Sequence, residues 1–139
     1  MKAISSLCLL LCGVLAVSCT TPIPSAEAPA SMAGCILSLD YSKSTHDGCT
    51  PFFQQEVFNV EFSGPDFSQS YGHVWQYTRT SSTTAKLTRF HMFEEGTLHL
   101  VFDSPTTGTA TDVSVSESGT CRFSNICFRI KKAADAHVE

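Results

Sequence analysis

Apolar and polar residues alternate with a period of two along most of the chain. Cys35, Leu37, Leu39 and Tyr41 share one face, as do Phe58, Val60 and Phe62. Leu98, Leu100 and Phe102 alternate most cleanly, Val113 and Val115 follow, and a last strand is predicted from Thr120 to Ile130. This is the pattern of half-buried strands, because successive side chains of a strand point to opposite faces. Asp47-Gly48, Ser63-Gly64-Pro65, Ser104-Pro105 and Ser118-Gly119 punctuate the segments as turns. No stretch of helical period follows the first twenty residues. The predicted fold is all-β and antiparallel, with roughly six to eight short strands. A β-sandwich or a small closed barrel would bury one face and hide the edges.

Two hairpins can be argued in detail. Phe93 and Thr97 flank Glu94-Glu95-Gly96, which suits a three-residue loop with glycine at a left-handed position. That register sets His91 opposite His99 and Arg89 opposite Val101. It gathers Phe90, Met92, Leu98, Leu100 and Phe102 on the core face and turns Arg89, His91, His99 and Asp103 outward. The preceding hairpin pairs Tyr71–Thr80 with Thr84–Phe93. A four-residue loop, Thr80–Thr83, places Trp75 and Tyr77 in the core and is preferred, since a lone Trp usually anchors a small β domain. A three-residue loop, Ser81–Thr83, would instead set them beside Arg89 and His91 and create an exposed binding surface.

The chain's beginning has a different character. Lys2 supplies a positive start, and Leu7–Val17 is an apolar run of eleven residues, the length of a signal-peptide core and too short to span a bilayer. The run ends in Ala16-Val17-Ser18-Cys19, which resembles the lipobox of bacterial lipoproteins, with Ala16 where that family usually has Leu. The resemblance implies cleavage before Cys19, a diacylglycerol on its thiol, and acylation of the new amine, palmitate being one such chain. An ordinary signal peptidase cut at the same bond is the alternative, because Ala16 and Ser18 also satisfy its small-residue rule. By the same analogy, Thr20 in place of Asp favours the outer over the inner membrane. Residues 19–34 then read as a lipidated N-terminus and a tether containing Pro22, Pro24 and Pro29. A β domain is expected over 35–130 and a polar tail over 131–139.

Subtracting the leader changes the cysteine count. Of seven cysteines, Cys8 and Cys12 leave with the signal and Cys19 takes the lipid, so Cys35, Cys49, Cys121 and Cys127 remain. Four cysteines in an exported domain predict two disulfides with three connectivities. Local pairing, Cys35 with Cys49 and Cys121 with Cys127, is preferred over the crossed options. Their spacings, with 13, 71 and 5 intervening residues, match no common zinc pattern. Loss of Lys2 takes the formal charge from −4 to −5, which gives no footprint for nucleic acid.

The segment from Trp75 to Phe123 carries a second resemblance. Tyr77-Thr78-Arg79-Thr80, Thr84-Ala85-Lys86-Leu87-Thr88, Leu98-His99-Leu100-Val101-Phe102-Asp103-Ser104 and Ser118-Gly119-Thr120 are similar to a Y-T-K-T, N-T-A-x-L-T, L-T-F-x-S, S-G-T pattern of small exported bacterial β domains. It covers about half the mature domain and implies a β fold without an agreed activity. Ser81, where glycine is frequent, and Cys121 depart from it.

Five histidines raise the question of chemistry. His91 and His99, brought together across a hairpin, could hold a metal with His73 or Asp103 as third ligand. The plainer reading is of solvated side chains. The candidate surface site is therefore His73, Arg89, His91, His99 and Asp103, with no metal or other cofactor assigned. His46 and Asp47 read as turn residues. Glu94-Glu95 sits on an exposed turn, where neither carboxyl gains the raised pKa of an acid catalyst, and no G-x-S-x-G nucleophile motif occurs. The sequence points to a membrane-anchored, non-catalytic binding or structural module whose partners are a membrane and an envelope protein or glycan. A lipocalin-like carrier and a histidine-based metal protein are the alternatives.

Overall fold

A computed structural model describes residues 25–48, 56–92 and 94–134. The expected leader, Cys19, Cys49, Phe93 and His137 lie outside the described residues. Among the described residues there are nine strands: β1 (Cys35–Asp40), β2 (Thr45–Asp47), β3 (Val57–Phe62), β4 (Phe67–Ser70), β5 (His73–Arg79), β6 (Thr84–His91), β7 (Glu94–Ser104), β8 (Thr107–Ser116) and β9 (Gly119–Lys132). All pairings are antiparallel, in the order β3-β1-β9-β8-β7-β6-β5-β4, with β2 added alongside β9. Strand β4 comes round beside β3, so the eight long-path strands form a nearly closed, up-and-down barrel. Of the two architectures expected, the barrel is the one formed.

Alternation explains the interior. Leu37 and Leu39 of β1, Val60 and Phe62 of β3, Leu98, Leu100 and Phe102 of β7, and Phe128 and Ile130 of β9 all point inward and are buried. An eight-stranded barrel is just wide enough for side chains to fill, and these large residues fill it. Strand β9 carries an irregularity: Ala110 pairs with Ile126, but Asp112 pairs with Phe123, so one extra residue is accommodated. Asn125, at φ 61°, takes the left-handed conformation there. The bulge lets both Phe123 and Ile126 face the core despite their odd spacing.

The two barrel ends differ. The turns after β3, β5 and β7 lie at one end, which residues 25–34 cover. Ala28 N–H donates to Ser82 O (2.7 Å), Met32 N–H to Pro65 O (2.9 Å), and the Tyr77 hydroxyl to Pro29 O (2.7 Å). Ala28 and Met32 are buried, and Glu27 pairs with Arg79 at 3.0 Å. The second half of the expected tether is thus packed onto the barrel. The turns after β4, β6 and β8 lie at the opposite end.

The expected cysteine pairing is not observed. Cys35 and Cys127 are free thiols. Their strands are neighbours, but Cys35 pairs with Lys132 and Cys127 with Asp40, which holds the two cysteines at opposite ends of the β1–β9 ladder. Cys121 is disulfide-bonded, with its partner outside the described residues. No disulfide joins two described cysteines, so neither expected local bridge is present.

Candidate functional site

The register of β6 against β7 decides what the uncovered end contains. Arg89 pairs with Gly96, Phe90 with Glu95 and His91 with Glu94. The β6–β7 pairing closes at His91 and Glu94, and Gly96 lies within β7 without the positive φ expected of it. The predicted His91–His99 juxtaposition is therefore corrected: His99 pairs with Lys86 and faces outward. Phe90 and Met92, expected in the core, are 44% and 80% exposed, while Arg89, expected outside, is 8% exposed. The hydrophobic count misled because the inward face of β6 changes from apolar to charged at its last turn.

The β5–β6 register also follows the option not preferred. Trp75 pairs with Arg89 and Tyr77 with Leu87, which fits the loop Ser81–Thr83. Trp75 and Tyr77 are nevertheless buried, each 3% exposed. The face they share with Arg89 is the interior.

Arg89 anchors a polar centre at this end. Its Nη1 donates to Asp112 Oδ2 at 2.7 Å, and its Nη2 donates to Glu94 Oε1 at 3.1 Å and to the Ser114 hydroxyl. The Tyr41 hydroxyl donates to the same Asp112 oxygen at 2.9 Å. The Trp75 ring lies with its centroid 5.8 Å from the guanidinium carbon, a cation–π distance. Burial works against charging Arg89, but the Asp112 carboxylate more than offsets it and holds its pKa above the usual value. Burial and the adjacent Asp112 charge push the Tyr41 phenol well up, against the opposing pull of Arg89, so it stays a hydrogen-bond donor.

Sequence reading missed Asp112, Ser114 and Tyr41 as partners. In β8 the valines alternate outward and the polar residues inward: Val115 is 53% exposed, whereas Asp112 is fully buried. An apolar/polar pattern normally assigns the reverse. The usable signal was the glycine at position 96, opposite a bulky arginine.

His73, at the start of β5, packs against this centre. Its ring centroid is 5.0 Å from that of His91 and 5.9 Å from that of Trp75. Its Nδ1 is buried without a hydrogen-bond partner among the described residues. Burial first, then the charges of Arg89 and His91, hold its pKa below the ordinary histidine range, with Glu94 acting against them. Of the five residues in the expected site, the fold brings together His73, Arg89 and His91. His99 stands on the outer wall, and Asp103 lies near the covered end, where it accepts from Thr107. Among the described residues no three His, Cys, Asp or Glu side chains converge in a way that would hold a metal ion. His46 and Asp47, expected in a turn, form β2, with the His46 ring 6.0 Å from Phe123.

No protein-family model matches the chain, and neither a curated protein nor a solved structure matches it.

Proposed function

We propose that the protein is a bacterial envelope lipoprotein, held by acyl chains on Cys19 at the outer rather than the inner membrane. Its barrel would serve as a non-catalytic binding or structural module for an envelope protein or glycan. The observation that carries this reading is the self-contained nature of the polar centre. Arg89 spends its donors on Asp112, Glu94 and Ser114, and Tyr41 spends its proton on Asp112. Catalysis needs a group free to act on a substrate, and these groups act on one another.

The position of the N-terminal segment supports the anchored reading. Glu27 and Ala28 are fastened to one barrel end. Glu27 lies eight positions beyond Cys19, and an extended chain advances at most about 3.6 Å per residue. A lipid on Cys19 would keep the covered end within about 30 Å of the bilayer and turn the Arg89 end away from it. Two or three acyl chains, each CH₂ contributing about 0.8 kcal/mol on burial, would make that attachment effectively permanent.

The up-and-down topology also suits a lipocalin-like carrier, the second reading. Against it stands an interior occupied by Phe62, Trp75, Leu87, Leu98 and Phe128. Intact-mass spectrometry of the native protein, with Cys19→Ser alongside, tests the main reading. A diacyl or triacyl adduct on Cys19, lost in the variant together with membrane association, is expected. An unmodified N-terminus would overturn the lipoprotein assignment.

A further inference from the structure

We propose that His73, stacked on His91, is an acid-sensing group whose protonation loosens the Arg89 end of the barrel. The inference stands on the barrel itself and does not depend on how the chain is anchored. It rests on the grouping of charges at that end. His73 of β5 and His91 of β6 stack at 5.0 Å. The Arg89 guanidinium of β6 is close enough to His73 to repel a charge on it, and Glu94 of β7, its ion-pair partner, is the nearby carboxylate not buried in the core. Asp112 of β8 is committed to Arg89 and Tyr41. Strand β4, on the other side of β5, contributes Ser70 opposite His73 and no charge.

At neutral pH this arrangement is balanced. His73 is uncharged, its buried Nδ1 needs to carry no proton, and Glu94 is free to hold Arg89. An imidazolium must donate from both nitrogens, and Nδ1 has no acceptor among the described residues. Protonation of His73 would therefore set a second positive charge against Arg89, with Glu94 the nearby carboxylate to share between the two. Glu94 is the cross-strand partner of His91, the ring stacked on His73, so a charge on His73 draws on the carboxylate that holds Arg89. The Arg89–Glu94 contact weakens, and the β6–β7 tip separates from the start of β5.

The sign follows from linkage. A histidine depressed by folding binds its proton more readily in the unfolded chain, so stability falls as pH drops through the ordinary histidine value near 6.5. The fall ends once pH is below the depressed native value.

Trp75, the single tryptophan, reports the event, since it lies 5.9 Å from His73 and 5.8 Å from Arg89. The test is a titration of Trp75 emission in the full-length protein in detergent, from about pH 8 to about pH 4.5, across the histidine range. The wild type should show a transition that begins near pH 6.5 and is lost in His73→Asn. His91→Asn removes a repelling neighbour and should move the midpoint up. Glu94→Gln removes the stabilising carboxylate and should move it down. His46→Gln and His99→Gln should leave it in place. A flat wild-type titration, a transition that persists in His73→Asn, or midpoints that move the same way in His91→Asn and Glu94→Gln would each overturn the proposal. The last comparison decides the matter even if His73→Asn fails to fold.

Discussion

The Arg89 side chain lies across the backbone of Gly96. A Cβ built on Gly96 would come within 2.5 Å of Arg89 Nε and 2.8 Å of its Cγ and Cζ. Glycine at this point of β7 is what admits a buried guanidinium to the barrel interior. Gly96→Ala should therefore cost about 1–3 kcal/mol, the range for overpacking a filled core. The cost should shrink in an Arg89→Ala background. A double-mutant cycle by urea denaturation checks this, and additive effects would show that the two residues do not share the space.

The Arg89–Asp112 pair leads to a second prediction. Both charges are inside the barrel, with Asp112 fully buried. Removing one partner strands the other, so Asp112→Leu alone should destabilise the fold by about 3–5 kcal/mol. Arg89→Met with Asp112→Leu removes both charges together, and well-packed apolar replacements of buried pairs are often neutral. The double variant should be more stable than the Asp112→Leu single variant in thermal unfolding. A double variant as unstable as the single would mean that the pair matters for its shape and not its charge.

Alkaline pH offers a third check. Burial raises the Tyr77 phenol to about 12, Arg79 working against the shift, and Tyr41 is raised further. Folding thus favours the protonated phenols, and their contribution to stability is complete below the unfolded value near 10. It is lost as pH rises from there through the native value. Absorbance titration should show Tyr77 ionising near 12, with Tyr41 following only on unfolding. Tyr41→Phe should remove that late component and cost about 1–2 kcal/mol at neutral pH, because Asp112 loses a donor.

How much of this was legible beforehand depends on which residues are considered. The strands of β1, β3 and β7 could be read because their inward faces are apolar without interruption. At Arg89, Asp112 and Ser114 the inward face is polar, and a pattern that equates polar with outward must fail there. The five-residue error in the β6–β7 register has the same source. Once Arg89 is assigned to solvent, Phe90 is assigned to the core, and the loop shifts to match. The site was visible only as an assortment of residue types, of which His73, Arg89 and His91 meet and His99 and Asp103 do not. Their meeting depends on a register that the hydrophobic residues alone do not specify.

The cysteines make a fourth prediction. Cys127 is exposed and free, whereas Cys35 is free but half-buried, with its thiol directed at Ala33 O at 3.7 Å. Accessible thiols react faster than sheltered ones. In the folded full-length protein, Cys127→Ser should abolish one fast-reacting equivalent with Ellman's reagent, and Cys35→Ser should affect only a slow one. Unchanged fast reactivity in Cys127→Ser would show that this thiol is engaged.

Met32 tests whether the segment ahead of β1 belongs to the folded unit. Its side chain is fully buried, and its N–H donates to Pro65 O at the turn between β3 and β4. A tether that merely passes the barrel would tolerate truncation of any of its residues. A plug would not, because the lost methylenes leave a cavity bounded by the barrel end. Met32→Ala should cost about 2–5 kcal/mol, as large-to-small changes do in a packed core, while Ala30→Ser, at an exposed position, should be close to neutral. Chemical denaturation of the two variants distinguishes the roles. A Met32→Ala variant as stable as the wild type would return residues 25–34 to the status of a linker.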